Sequence, residues 1–219
     1  MTVPSLAART LRPAGPVVVL SGLAASAVAL ASAPPLMPPG YSWVSQTTSE
    51  SAAQGVQGAW LARLGFVLLG LSVILLATIC RRRWGLWGAA LHAGFGVLLI
   101  AAAVFSHRPW MAGEDFDRVE DALHSVAATA MGFAFVIGVV VTALRRSRGD
   151  VWPRAFDIMA VAASVAIPLG MAARPDIEGV LQRLMFVVAY AWYAAEAVRA
   201  TRDKRPDGSR SRSEAARLR

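Results

Sequence analysis

Hydrophobic residues are gathered into long blocks separated by short polar stretches. Six such blocks cover residues 16–33, 59–80, 84–105, 122–144, 155–172 and 177–198. Each is about 18–23 residues long, enough for a helix to cross a hydrocarbon core of roughly 30 Å. In lipid a segment must pair its backbone amides internally, so each block is predicted to be a helix. The pattern therefore predicts an all-α, polytopic transmembrane bundle of six helices.

Composition supports a membrane protein over a soluble bundle. The blocks mostly lack the polar stripe that helices of a soluble bundle carry. Of the 219 residues, 56% are hydrophobic and 16% are charged, whereas a soluble domain has about a quarter charged residues. Abundant Ala and Arg with a single lysine, Lys204, are typical of a GC-rich bacterial genome.

The distribution of basic residues predicts the orientation. Most of the 22 Lys and Arg residues lie in segments 1–15, 81–83, 145–154 and 199–219, on one side of the predicted bundle. The opposite loops contain Arg108, Arg118 and Arg174. Cytoplasmic loops carry the excess of Lys and Arg, so both termini are predicted to be cytoplasmic. The expected location is the plasma membrane of a bacterium, as a multi-pass protein.

Three parts are predicted: an N-terminal cytoplasmic segment (1–15), a transmembrane domain (16–198) and a basic, disordered cytoplasmic tail (199–219). Membrane lipids are the expected partners, with anionic lipid heads at the tail. The net charge of +8 is spread between apolar blocks, not over one soluble face, so no nucleic-acid partner is expected. A protein partner is compatible with the sequence, which identifies none.

The first block also has features of a cleaved signal peptide. A start containing Arg9 and Arg12 precedes an apolar core and the sequence Ala31-Ser32-Ala33. Pro34 directly follows that cleavage point, and proline there usually blocks signal peptidase. Retention of the first helix is therefore the favoured expectation.

Known catalytic signatures are absent from the sequence. Cys80 is the sole cysteine, which excludes an internal disulfide and a cysteine-based zinc site. The chain has no phosphate-binding glycine loop, no His-Glu-x-x-His and no Gly-x-Ser-x-Gly. No cofactor is predicted.

Polar residues at the outer helix ends are the candidate site. Asp121 and His124 share one helix face, as do Glu178 and Gln182, and ionisable groups within spans usually face the bundle interior. The alternative is that these side chains snorkel or form ion pairs that fix helix registry. The predicted ligand-binding residues are Ser49, Glu50, Arg63, Asp121, His124, Glu178, Gln182 and Arg183.

Two further sets of polar residues are predicted to be structural. His92 lies near mid-membrane, and its height differs from that of His124 by roughly 10–15 Å, too much for the two to ligate one haem iron. A buried hydrogen-bonding role is expected for it. Asp157 and Glu196 lie near the cytoplasmic ends of their helices, where neighbouring Arg154 and Arg199 are expected to neutralise them.

Three ordered stretches resemble a known family. They are Ser45-Gln46-Thr47-Thr48-Ser49-Glu50 followed by residues 55–65, then Asp121-Ala122-Leu123-His124-Ser125, and Gly179-Val180-Leu181-Gln182-Arg183. Together they resemble the bacterial and archaeal membrane family called domain of unknown function 998, over residues 15–198. The resemblance implies a six-helix bundle, distantly similar to the Frag1/DRAM/Sfk1 group, and no established reaction. Where the family has Ile-Ser-Glu-Leu, this chain has Thr48-Ser49-Glu50-Ser51, so the apolar flanks differ.

Three functions are compatible with these patterns. The first is binding of a lipid, small molecule or partner protein at the polar outer mouth. The second is an intramembrane, metal-assisted hydrolase acting on lipids, with His124 as the candidate metal ligand beside Asp121, Glu50 and Glu178. The third is a small-solute transporter, which would need polar groups through the midplane. Binding is the favoured reading, and an enzyme is not.

Overall fold

The protein is a bundle of long helices. A computed structural model describes residues 7–147, 149 and 151–202, with side chains from residue 14 onward. The helices are α1 (Ala7–Ser32), α2 (Ala59–Val104), α3 (Arg118–Leu144), α4 (Val151–Ala173) and α5 (Glu178–Arg202), with three short 3₁₀ turns at Pro34–Leu36, Glu50–Ala52 and Pro175–Ile177. These residues include no β-strand. The all-α class is confirmed.

Helix α2 is folded back on itself at Gly85. Gly85 has φ 74° and ψ 176°, outside the helical region, in a combination almost confined to glycine. Gly70 and Gly96, on opposite sides of this bend, lie in contact: a Cβ on Gly96 would be 2.5 Å from the backbone oxygen of Gly70. The two arms, 59–84 and 86–104, therefore pack against each other.

The bend changes the predicted element boundaries. The second and third hydrophobic blocks were expected to be separate helices joined by Arg81, Arg82 and Arg83. The arginines instead lie within α2, just before Gly85. A single glycine reverses the chain, so no polar connecting segment is needed.

Helices α1, α2 and α5 are joined through one hydroxyl. Ser26, fully buried, donates a hydrogen bond to the backbone oxygen of Gly65 at 2.6 Å. Its oxygen also lies 2.6 Å from the hydroxyl of Tyr190, which donates to it because the Ser26 proton is already used. The surrounding core is apolar and includes Val19 and Leu69. Polar and apolar contacts thus fix α1 against the rest of the bundle.

Four helices have the length and hydropathy of membrane spans: α1 from Ala14, α2, α3 and α4. Helix α5 is not among them, because Arg183, Glu196 and Arg199 lower its apolar character. The chain thus has the character of a membrane protein. The prediction of six crossings with cytoplasmic termini is not established by these helices and stays a prediction.

The helix ends form two groups. We call the end containing segments 34–58, 105–117 and 174–177 the loop end, and the end containing Gly85, segment 145–147 and the C-terminus of α5 the arginine end. Helix α5 continues to Arg202, four residues past the predicted span. Residues 203–219, on which most of the predicted tail falls, and residues 1–6 lie outside the described residues, as do 148 and 150.

Candidate functional site

A cavity of about 630 Å³ opens at the loop end. Its walls come from the 3₁₀ turn at Glu50–Ala52, from segment 107–116, and from the first turns of α3 and α5. Five of the eight predicted ligand-binding residues line it: Ser49, Glu50, His124, Glu178 and Gln182. Residues far apart in the sequence therefore meet around one space.

His124 lines the cavity from the first turns of α3 and is 2% exposed. Asp117 caps α3 by accepting hydrogen bonds from the amides of Val119 and Glu120, which fixes the helix start and the position of His124. The His124 Nδ1 atom lies 2.9 Å from the backbone oxygens of Ala102 and Phe105. Carbonyl oxygens only accept, so Nδ1 carries the proton and donates to both.

The other ring nitrogen of His124 is unused. Nε2 is buried and has no hydrogen-bond partner among the described residues. In the neutral imidazole with Nδ1 protonated, Nε2 is an acceptor. A buried polar atom without a partner costs free energy. A ligand that donates a hydrogen bond to Nε2 would remove that cost.

Two carboxylates face the same space. Glu50 Oε2 accepts hydrogen bonds from the Thr47 amide at 2.6 Å and the Thr47 hydroxyl at 2.9 Å, so this loop turn is closed by its own side chain. Glu178 stands at the start of α5, where a carboxylate is favoured by the helix dipole. Glu114 completes a set of three acidic residues in the lining, against one arginine, Arg108.

Segment 41–52 is held against α5 by Gln182. The amide oxygen of Gln182 accepts hydrogen bonds from the backbone nitrogens of Thr48 at 2.6 Å and Ser49 at 3.2 Å. Its role is thus to position the loop that carries Glu50. The Val180 amide adds a bond of 3.1 Å to the backbone oxygen of Val44.

Arg183 anchors the same loop and does not line the cavity. Its Nη1 donates to the backbone oxygens of Trp43, Gln46 and Gly179 at 2.8–2.9 Å, and its Nη2 donates to the Tyr41 hydroxyl at 2.6 Å. Burial raises the pKa of Tyr41, and the neighbouring Arg183 guanidinium opposes that rise. These contacts give Arg183 a loop-holding role, and the interpretation of Arg183 as a ligand-binding residue stays a prediction.

Arg63 is likewise placed away from the cavity lining. Its guanidinium donates to the backbone oxygens of Ala52 at 3.0 Å and Ala53 at 2.8 Å. These carbonyls belong to the last residue and the C-cap of the 3₁₀ turn at Glu50–Ala52, so Arg63 holds this turn in place. The sequence shows an arginine near a helix start, but it cannot show that this side chain will donate its hydrogen bonds to backbone carbonyls.

Asp121 lies beside the cavity lining and holds the segment that contains His107 and Arg108. Its Oδ1 accepts a hydrogen bond from the Arg108 amide at 2.8 Å and lies 3.9 Å from the Nε2 of His107. The ring of His107 meets the ring of His124 edge to face, with centroids 5.3 Å apart. His107 therefore belongs to the site. Only its position between two predicted helix ends on the loop side could have indicated this.

The arginine end contains a buried ion network. Arg146, whose side chain is 4% exposed, pairs with both Asp157 and Glu196. Arg83 and Arg199 also pair with Glu196, at 2.9 and 3.2 Å. The expectation that Arg199 neutralises Glu196 is confirmed. The expectation for Arg154 is wrong: it donates to the backbone oxygen of Arg146. Arg146, two residues past the end of α3, reaches the two acids instead.

Aromatic residues complete this network. Trp84 and Trp192 donate their indole N–H groups to Glu196 at 2.7 Å and Asp157 at 2.8 Å. His92 packs between these two indoles, with ring centroids 4.6 and 4.7 Å away, and its Nδ1 is hydrogen-bonded to the hydroxyl of Tyr193 at 3.0 Å. The prediction that His92 is a buried hydrogen-bonding residue is confirmed.

The residues that the structure describes include no group of three His, Cys, Asp or Glu side chains placed to hold a metal ion. His124 and His107 are neighbours, and the Nδ1 atom of His124 is already hydrogen-bonded to two backbone carbonyls. The candidate metal role of His124 therefore lacks a third ligand within this part of the chain.

Comparison with known proteins identifies one family. The model of a family described as a protein of unknown function, DUF998, matches residues 18–199. The resemblance predicted from the three loop-end stretches is thereby confirmed, whereas the distant similarity to the Frag1/DRAM/Sfk1 group stays a prediction. No curated protein and no solved structure matches the chain.

Proposed function

The chain belongs to the DUF998 family of proteins of unknown function, and we propose that it is a membrane protein that binds an amphiphile through its loop-end cavity. The ligand carries ammonium or hydroxyl hydrogen-bond donors. The observation that carries the proposal is the set of acceptors among the lining residues: Glu50, Glu178 and His124, whose Nε2 has no partner among the described residues. These groups accept hydrogen bonds, and the three lining carboxylates favour positive charge.

The apolar part of the lining supports an amphiphile over a simple ion. Trp110, Met111 and Phe116 line the same cavity, and Trp110 packs edge-on against Tyr41 with centroids 5.1 Å apart. Aromatic residues of this kind occupy membrane interfaces. A lipid head group such as phosphatidylethanolamine and a free amine share the recognised chemistry, so the experiment must separate these two sources.

We further propose six crossings: α1, both arms of α2, α3, α4 and α5. The arginine end would face the cytoplasm of a bacterium and the cavity would open on the outer leaflet. Helix α5 has 25 residues, about 38 Å at 1.5 Å per residue. Arg183 and Glu196, within its apolar stretch, are hydrogen-bonded inside the protein, which reduces the cost of placing them in a membrane.

Binding explains the cavity better than the two alternatives do. A metal-assisted hydrolase would need more ligands than the His124 and His107 pair provides. A transporter would need polar groups leading from the cavity through the midplane, whereas the side chains below His124 in α3 that reach the core include Ala127, Met131 and Phe135. Neither alternative gains a specific observation.

The test compares ligands by native mass spectrometry and binding calorimetry in detergent. Purified protein is offered phosphatidylethanolamine, phosphatidylcholine or free ethanolamine. Retention of phosphatidylethanolamine that falls at least tenfold in His124→Ala and Glu178→Gln would support the proposal. The control is Asp176→Asn, since this acid is 59% exposed and pairs with Arg174. Equal retention in all variants would overturn it, and tight binding of ethanolamine alone would identify a small amine as the ligand.

A further inference from the structure

A second cavity, of about 460 Å³, lies at the arginine end, between the start of α4 and the end of α5. It is separate from the loop-end cavity. Its walls include Trp152, Phe156 and Val198, and its rim includes Arg199 and Arg202. The proposed function makes no use of this space.

The floor of the second cavity is the buried ion network, and its carboxylates are saturated. Glu196 accepts from Arg83 and Trp84 on Oε2 and from Arg146 and Arg199 on Oε1. Asp157 accepts from Arg146 and Trp192. Neither acid has an oxygen left without a donor, so neither would repel an incoming anion strongly.

Among the described residues, positive charge exceeds negative charge in the lining of this cavity. Arg146, Arg199 and Arg202 line it, against one lining acid, Glu196. Arg202 is exposed and has no acidic partner among the described residues. A phosphate group matches a surplus of this sign, and arginine presents a fork of N–H groups suited to it.

The outer wall of the cavity indicates a lipid. Trp152 is 79% exposed and Val198 is 37% exposed, although both flank a site rimmed by arginines. An exposed indole beside basic residues at a span end is typical of the membrane interface. Basic pockets between helix ends on the cytoplasmic side bind the head groups of anionic lipids.

From the charge surplus and the apolar wall, we infer that this cavity binds an anionic glycerophospholipid. Its phosphate would contact Arg199 and Arg202, and an acyl chain would lie along Trp152 and Phe156. The bound lipid would hold the end of α5 against the start of α4, two helices that already share the Trp192–Asp157 hydrogen bond. The site is independent of the loop-end cavity.

The test is lipid retention by native mass spectrometry, with protein released from nanodiscs of phosphatidylglycerol and phosphatidylcholine in equal parts. Wild type should retain phosphatidylglycerol selectively. Arg202→Gln should lower its affinity about fivefold, the factor expected for one basic group near an anionic surface. Trp152→Ala should lower retention of both lipids at this site, since it removes the wall.

The matched control is Arg82→Gln, which removes an exposed arginine at the same end but outside the cavity. Unchanged retention in this control, with loss in Arg202→Gln, supports the site. Equal loss in both variants would overturn it, because the attraction would then be general. Full displacement of the lipid by millimolar inorganic phosphate would also overturn it, because a free anion would then be the occupant.

Discussion

Gly179 lies directly against the backbone oxygen of Gln46, with no room between them for a Cβ atom. A Cβ on Gly179 would also come within 2.7 Å of the backbone oxygen of Trp43. This close approach is what allows Arg183, one turn later, to reach the same two carbonyls. The first turn of α5 and segment 41–52 are therefore built as one unit.

Replacing Gly179 by alanine should detach this unit. We expect Gly179→Ala to destabilise the protein by about 1–3 kcal/mol, as overpacking against backbone does. Chymotrypsin should also cut faster at Tyr41 and Trp43. Thermal unfolding in detergent and timed proteolysis measure the two effects.

Gly94→Ala is the control for this substitution, because a Cβ at Gly94 meets nothing within 4 Å. It should leave stability unchanged or raise it by up to about 1 kcal/mol, the helix-propensity gain of alanine over glycine. A Gly179→Ala protein as stable and as resistant to protease as wild type would show that the loop does not pack as described.

The proposed topology predicts opposite labelling of two loops. In a Cys80→Ala background, cysteine is introduced at Ala112, exposed in the loop-end segment, or at Ser147, exposed at the arginine end. A membrane-impermeant maleimide added to intact cells should label Ala112→Cys only, because the arginine end is expected to be cytoplasmic. Labelling of both after lysis is the control. Labelling of Ser147→Cys in intact cells would reverse the orientation.

The helical class could be predicted because hydrophobic block length is a property of the sequence alone. The boundary between the second and third blocks could not. Arg81, Arg82 and Arg83 are typical of a polar connection, but one glycine with a positive φ is enough to reverse α2. Local sequence does not show that Gly70 and Gly96 will touch across that bend.

The cavity residues were predicted in part for the same reason. Glu178 and His124 lie close to the starts of their helices in the sequence, and this predicts their position at the loop end. The same information does not show which side-chain donors will form hydrogen bonds with backbone carbonyls. Arg63 and Arg183 are bound to carbonyls of segment 41–53, and these contacts depend on the path of an irregular loop. His107 is not among the predicted residues, because the path of this loop also decides its approach to His124.

The arginine-end network predicts a strong dependence on Arg146. Glu196→Gln leaves the surrounding arginines with one fewer compensating charge in a buried site, so it should cost about 3–5 kcal/mol. Arg146→Met should lower the free energy of unfolding by a similar amount, since it leaves the buried Asp157 without its ion-pair partner. The double variant should lose clearly less than the sum, because each change removes the other's uncompensated charge. Urea-induced unfolding in mixed micelles gives the three free energies, and additive losses would contradict direct pairing.

Arg183, Tyr41 and His124 distinguish one polar network from two. If the eight loop-end residues formed a single network, Arg183 and His124 would be coupled. The described contacts place them apart: Arg183 bonds to Tyr41 and to loop carbonyls, whereas His124 bonds to the end of α2. We therefore expect the losses of unfolding free energy in Arg183→Met and His124→Ala to add within about 0.5 kcal/mol.

Arg183→Met and Tyr41→Phe should instead be coupled by at least that amount, because they remove the same 2.6 Å hydrogen bond. Unfolding free energies of these variants and their double variants supply both cycles. Coupling between Arg183 and His124 as large as that between Arg183 and Tyr41 would mean that the loop and the cavity respond as one unit, and Arg183 would then act on ligand binding through the position of Glu50.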